Sequence, residues 1–577
     1  MVYYSQNIKE KLSMKFSQFE YVRPEIGSVV KRSEAMLDKI AKAKSYDEAR
    51  TLIKQYNKMR SNIQTNLSVM NVRHTINTKD QFYDGENKYW DEKGPLLEEQ
   101  TIKFYKTIFD SKYLTKLKKD LPPQFFKLAE FGFKAFKPEI IEDLQLENKL
   151  ATEYSKLIAS AQIDFEGKKY TLAQLTPFTL STNRQTREKA YKAKMSFFVK
   201  QEKAIDNIFD KLVKVRTKIA KKLGYKNFTE LAYIRMARAD YSEKDIKVLR
   251  EQVVDFIVPL ASKLYQKQAK RLGLKSLRYF DEKFEFMSGN PTPKGDAKWM
   301  VKNAKKMYEE LSKETGEFFN FMIKNELMDL EAKPGKRSGG YCTFFGDMKA
   351  PFIFSNFNGT SGDVDVLTHE AGHAFQVYRS RNIEVPECHF PTYESAEIHS
   401  MSMEFFTWQW MKLFFKNDTE KYHYSHLGSA IKFIPYGTLV DHFQHEVYNK
   451  PEMTPAQRKA TWRKLEKVYL PHKDYSGMPI LEKGAWWFQQ QHIFNSPFYY
   501  IDYVLAQTMA LQFFKKMNKN FKSAWKDYVK LCDQGGKYSF LKLVEIAGLE
   551  SPFKKGTVEG IIKDVEKVLL KTDDSKF

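Results

Sequence analysis

The chain has 577 residues, 42% of them hydrophobic and 15% aromatic; so much bulky apolar side chain excludes a disordered polypeptide and is enough for a large buried core. Three scattered cysteines (Cys342, Cys388 and Cys532) with no CxxC spacing exclude a disulfide framework and a thiolate metal site, and they fit a reducing, cytoplasmic home. The formal net charge of +23 comes from lysines scattered among acidic residues, which reads as a solvated surface and not as a nucleic-acid face.

The first stretch, Met1 to Phe16 (MVYYSQNIKEKLSMKF), has no apolar h-region, so it is not expected to be a secretory signal, and Met14 is an alternative start. No window reaches the run of about 18 apolar residues that a membrane helix needs, so no membrane partner is expected. Helical periodicity then dominates. Ser45-x-x-Glu48 has capping-box form and precedes Ala49, Leu52, Ile53, Tyr56, Met59 and Ile63 at 3–4 spacing. Ser242-x-x-Asp245 opens a similar run through Ile246, Leu249, Val253, Ile257 and Leu260. Such patterns continue to about Leu330, punctuated by turns such as Gly289-Asn290-Pro291. The class is mainly α, with no repeat of fixed period.

One region departs from the helical period. Ser338-Gly339-Gly340 leads into Tyr341–Phe345, a turn follows at Gly346-Asp347, and Pro351–Phe357 is rich in aromatic and β-branched residues. This predicts a small hairpin or meander. Its edge could accept an extended peptide through main-chain hydrogen bonds, which makes Gly340 and Tyr341 candidate substrate-binding residues. Gly359-Thr360-Ser361-Gly362 reads as the turn and cap before the next helix.

That helix carries His369-Glu370-Ala371-Gly372-His373. Residues i and i+4 stand one above the other on a helix, so His369 and His373 can converge on one metal ion. Glu370 sits to the side, where it can hold and deprotonate a water on that ion. Val364, Leu367, Ala371, Ala374, Phe375 and Tyr378 form an apolar stripe roughly opposite the two histidines. A catalytic zinc needs a third protein ligand and an open position. Arg379 stands where a third histidine of the HExxHxxGxxH pattern would be, so a downstream carboxylate is the natural donor. Glu394, Glu397, Met401, Glu404 and Trp408 share one helical face; spacing leaves Glu394 and Glu397 both open as the ligand.

These residues resemble the thimet oligopeptidase and oligoendopeptidase F family of zinc peptidases, in particular its shorter bacterial, Pz-peptidase-like branch. The resemblance is carried by HEAGH, by Glu397–Glu404 (EIHSMSME), by Gly340–Thr343 and by His492–Tyr503 (HIFNSPFYYIDY), with weaker similarity at Leu223–Phe228 and in the N-terminal helices. It implies a mainly α, two-lobed, neurolysin-like zincin with a small β-sheet beside the active site and a deep substrate channel. The division it suggests is an N-terminal helical lobe over 1–185 and a catalytic lobe over 186–577. It further implies one Zn2+ per chain held by His369, His373 and Glu397, with Glu404 and Glu394 supporting the ligands from behind. His492, Tyr499, Tyr500 and Tyr503 would stabilise the oxyanion, Tyr503 fitting best; this segment is one residue shorter than in thimet-type members, which bears on the register of Tyr499 and Tyr500. The implied activity is endopeptidase cleavage of short unstructured peptides. A zinc dipeptidase or carboxypeptidase on the same scaffold is the alternative.

Overall fold

A computed structural model of the protein describes residues 14–333, 335–337 and 339–577. The reading of the first thirteen residues as lacking a signal, and Ser338 ahead of the hairpin, lie outside the described residues. Among the described residues the chain is mainly helical with two small sheets, and no helix is long and apolar enough to cross a membrane.

In chain order, α1 (Tyr46–Ile76) starts where the sequence places it: Ser45 Oγ accepts the Glu48 N–H at 3.1 Å. The reciprocal half of the box slips by one residue, because the Glu48 carboxylate accepts from the Lys44 N–H at 2.7 Å. Strands β1 (Ile163–Phe165) and β2 (Lys168–Tyr170) form a hairpin that periodicity did not reveal. Its two-residue turn, Glu166-Gly167, has positive φ at both positions, the backbone a tight hairpin requires. Next comes α2 (Arg184–Lys222), capped by Asn183. The single run expected from Ser242 divides into α3 (Glu243–Gln252), a π turn at Val253–Ile257 and α4 (Val258–Arg271). Pro259 has no N–H to return to the preceding turn, and the ladder widens there.

The expected hairpin forms as β4 (Tyr341–Phe345) antiparallel to β5 (Ala350–Phe357), and β5 also pairs in parallel with β3 (Met328–Glu331). The sheet order is therefore β3-β5-β4, with β5 central and β4 at an edge. Helices α5 (Gly362–Ser380), α6 (Tyr393–Phe406), α7 (Thr419–Asn449), α8 (Gln491–Asn495) and α9 (Tyr500–Lys519) complete the set used below.

These elements group into two compact units. The first comprises Met1–Phe133, Thr292–Lys416 and Lys516–Leu549; the second comprises Lys134–Pro291, Asn417–Lys515 and Glu550–Phe577. They are groups by contact and interleave along the chain, whereas a boundary at 185/186 divides the chain by order. In the first unit the core under α5 is aromatic: Phe375 packs with Trp525 and Tyr528, and Phe406 meets the same two rings. In the second, α2 is buried along its length, from Tyr191 to Ile219.

Candidate metal centre and its surroundings

The approach to α5 is set by Gly359 and Asp363. Gly359 adopts φ +85°, and the Asp363 carboxylate accepts the N–H groups of Asn358 (2.9 Å) and Gly359 (2.7 Å). The turn-and-cap reading is right in kind, but the acceptor is Asp363; Ser361 at the N-cap makes no side-chain cap bond. The helix is also buried on more sides than one stripe predicts. Val364, Leu367, Ala371, Ala374 and Phe375 are fully buried, and so are Thr368, Gly372 and Gln376, while Tyr378 is only half-buried. The second buried side is where α6 packs. A Cβ on Gly372 would stand 2.6 Å from Ser400 Cα and 2.7 Å from the His399 carbonyl oxygen, so only glycine permits this crossing. Gly372 thus lets α6 deliver its carboxylates to α5.

The delivered carboxylate is Glu397. Its Oε2 lies 3.2 Å from His369 Nε2 and 3.3 Å from His373 Nε2, and among the described residues these three form a group able to hold a metal ion. Ligand bonds of about 2.0–2.1 Å in a tetrahedron put neighbouring donors about 3.4 Å apart. The spacing of Glu397 Oε2 from each imidazole therefore fits a zinc-sized ion. Ser400 Oγ donates to Glu397 Oε2 at 2.9 Å and fixes its rotamer. His369 Nδ1 is 2.7 Å from Glu404 Oε1; a proton held there turns the Nε2 lone pair toward the ion. Glu394 is 1% exposed and accepts from Thr392 Oγ1 at 3.0 Å, and it is not part of the donor triad. The carboxylate face of α6 is buried at Glu394 and Glu397, and not a solvated acidic surface.

The electrostatics are those of a cation site. Burial opposes charge on His369, yet Glu397 and Glu404 outweigh it and hold the imidazole pKa well above its usual value. Burial likewise opposes ionisation of Glu397, but the two histidines win and its pKa falls well below the carboxylate range. A buried carboxylate is stable only where positive charge answers it, and here two imidazoles lie against it. Glu370 differs. Burial raises its pKa, with the histidines acting in the opposite sense, and its buried Oε2 has no hydrogen-bond partner. A carboxylate so placed is a basic, unengaged acceptor.

Of the strand residues, Gly340 borders Glu370: a Cβ there would be 3.4 Å from Glu370 Oε1. Tyr341 turns away, with its hydroxyl 2.6 Å from Thr75 Oγ1 and its ring stacked on Phe354. Sequence reasoning missed Cys342, whose thiol pKa is raised by burial and by the neighbouring Glu370 charge. The period-2 alternation of a strand could have found it, since Gly340 and Cys342 share a face.

In the second unit the four C-terminal candidates gather into one cluster. The His492 ring lies 5.6 Å from Tyr499, 5.1 Å from Tyr500 and 5.8 Å from Tyr503. Tyr500 and Tyr503 are on α9, whereas Tyr499 precedes its first turn. Phe498, buried and at φ +67°, makes the bend that brings them together. Gln444 Oε1 accepts its N–H at 2.9 Å and Arg238 donates to its carbonyl, which is what holds a non-glycine residue in a left-handed conformation. His492 Nδ1 is fixed by Gln490 Nε2 at 2.9 Å, and Tyr436 donates to the other end of that amide at 2.7 Å.

Residues 16–136 match the peptidase M3 N-terminal domain, and residues 178–290 and 300–561 match peptidase family M3. A curated oligoendopeptidase F homologue of Borreliella burgdorferi is 28% identical over 253 residues, 42% of this chain; the match spans 41% of that relative's length. Among solved structures, PZ peptidase A with a bound inhibitor is 52% identical, covering 97% of this chain and 100% of its own, with a TM-score of 0.94. A Bacillus anthracis protein provisionally assigned as oligoendopeptidase F is 50% identical over 98% of this chain and 99% of its own, with a TM-score of 0.90. The chain belongs to peptidase family M3, a family of metallopeptidases.

Proposed function

We propose that the protein is a zinc-dependent endopeptidase that hydrolyses short unstructured oligopeptides, with Glu370 as general base. The observation that carries this reading is the conjunction of a two-histidine, one-carboxylate donor set with an unpartnered buried carboxylate oxygen on the adjacent residue. Zinc held by His369, His373 and Glu397 would supply Lewis acidity toward the scissile carbonyl and lower the pKa of water. Glu370, basic because it is buried, takes the proton from the attacking water and returns it to the departing amine. Glu404 holds the His369 tautomer and ring orientation. The edge of β4 is the candidate surface for an extended peptide, with Gly340 bordering the base, and main-chain pairing there tolerates many sequences. Hydrogen bonds to the developing oxyanion are assigned to His492 and to Tyr499, Tyr500 and Tyr503, with Tyr503 foremost. A cytoplasmic location belongs to the same reading and is supported by three free cysteines.

The test is hydrolysis of peptides blocked at both ends, run with metal analysis. The zinc-loaded protein should cut them internally, chelation should abolish cleavage, and Glu370→Gln should keep stoichiometric zinc while losing about 10²–10⁴-fold in kcat. Cleavage only at a free terminus would replace the endopeptidase reading with the dipeptidase or carboxypeptidase one. Undiminished activity in Glu370→Gln would remove the general base.

A further inference from the structure

The second unit contains a cavity of about 630 Å³ that the chemistry above leaves unused, a size usual for small-molecule sites. It is walled by α3, by the π turn that follows, by α7 and by the helix Pro455–Tyr469. That helix is held on α7 by Trp462, whose ring lies 5.2 Å from Phe443, and by the Tyr469 hydroxyl, 3.0 Å from His442 Nδ1. The apolar part of the wall comes from Val254 in the π turn and from Leu465 and Val468. Val254 and Leu465 are half-buried, whereas Val468 is 46% exposed and marks the side open to solvent.

Arg250 lines this cavity although it is only 8% exposed, and its Nε has no hydrogen-bond partner. Asp441 comes no closer to it than 3.6 Å and stands 3.3 Å from His445 Nδ1. That carboxylate offsets the Arg250 charge but takes no hydrogen bond from it. Arginines buried as deeply in the same unit are engaged: Arg187 donates to Asp281 at 3.0 Å and Arg216 to Glu147 at 2.7 Å. A buried guanidinium with an unengaged donor at a cavity wall is stabilised by an acceptor that enters the cavity. The charges limit what can enter. Around the opening, exposed Lys244 and Lys247 stand with exposed Glu243, Glu251 and Asp255, so the rim has no excess of positive charge. With Asp441 behind Arg250, a polyanion gains little here, whereas one negative charge on an apolar body matches both the guanidinium and the walls.

We propose that this cavity binds a small organic monocarboxylate, with the carboxylate on the Arg250 guanidinium and the aliphatic body against Val254, Leu465 and Val468. Guanidinium and carboxylate match in shape and pair through charge-assisted hydrogen bonds. The chemistry is shared by an aliphatic acid and by a free apolar amino acid, whose ammonium group would meet Glu251 and Asp255 at the opening. Such binding is independent of the peptidase reading and is measured without turnover.

Isothermal titration calorimetry on the zinc-loaded full chain would compare 4-methylpentanoate, 4-methylpentanamide, L-leucine and inorganic phosphate. The acid or the amino acid should bind about tenfold more tightly than the uncharged amide. Arg250→Met removes the guanidinium, and Val468→Glu sets a negative charge on the apolar wall; each should weaken that binding about tenfold. Lys464→Ala, exposed on the same helix and outside the cavity, should leave it unchanged. Tighter binding of L-leucine identifies an amino acid, and tighter binding of 4-methylpentanoate identifies an aliphatic acid. Equal affinities for these two, both above the amide's, support a carboxylate site indifferent to the ammonium group. Val468 is on the surface, so its variant reads out even where Arg250→Met does not fold. Four results overturn the proposal: no binding, equal affinity for acid and amide, binding of phosphate alone, or carboxylate binding that both variants leave intact and that therefore lies elsewhere, as at the candidate metal centre.

Discussion

At the scale of single residues, the candidate metal centre is a division of labour among carboxylates that look alike in sequence. Glu394, Glu397 and Glu404 lie on one face of α6, but only Glu397 touches both imidazoles, and only Glu404 bonds to His369 Nδ1. Glu397→Ala should therefore lower bound zinc far more than Glu394→Ala, read by metal analysis after dialysis; the reverse order would move the third ligand. Glu404→Ala should keep zinc binding but weaken it about 10–100-fold, as losing the partner of a ligating imidazole does. A competition titration with a chromophoric chelator would read this, and an unchanged affinity would mean that Glu404 orients nothing. The proposed ligand pair and base were legible in the sequence because the i, i+4 geometry is local to one turn. Spacing did not choose between Glu394 and Glu397, because the choice depends on where α6 crosses α5, a tertiary fact that periodicity does not contain; only the family resemblance pointed to Glu397.

The crossing itself belongs to the scale of elements, and Gly372 governs it. In Gly372→Ala the new methyl would meet backbone atoms of Ser400 and His399 at 2.6–2.7 Å, which no side-chain rotation can relieve. Overpacking of this kind costs about 1–3 kcal/mol, and here the helices must separate along the line that carries Glu397. The expected result is a lower Tm together with weaker zinc binding; a stability loss with zinc affinity unchanged would show that α6 does not depend on this contact. Other elements show where local pattern suffices and where it does not. The caps at Ser45 and Ser242 and the β4–β5 pair were readable because each is written within a few neighbouring residues. Strand β3 was read into the tail of a helical pattern, since four residues pairing with a strand some twenty residues further on leave no period to detect. The π turn before Pro259 was also missed: its apolar spacing is that of a helix, and only the absent N–H changes the register.

For the molecule as a whole, buried neutral histidines predict a loss of stability on the acid side. His442 in α7 is about one-quarter exposed, and its Nδ1 pairs with the Tyr469 hydroxyl at 3.0 Å. Burial, reinforced by Arg250, pushes its pKa down to about 4, and burial with Lys473 drives His472 well below the ordinary value. An unfolded histidine titrates near 6.5. Between about pH 6.5 and pH 4 the unfolded chain therefore binds more protons than the folded one, and stability must fall as pH falls. The contribution is complete above pH 6.5, shrinks through that window, and stops changing once the folded His442 itself protonates. Protonation of the candidate metal ligands and other groups acts in the same range, so the informative quantity is a difference between two proteins that share them. His442→Gln keeps a polar side chain and removes the titration. Relative to this variant, the wild type should lose on the order of 1–3 kcal/mol between pH 7.5 and pH 4.5, measured by urea denaturation at fixed ionic strength and fixed zinc. A difference that stays constant across that range would mean that His442 takes up its proton in the folded protein as readily as in the unfolded chain, and that its burial against Tyr469 and Arg250 does not govern the acid limit.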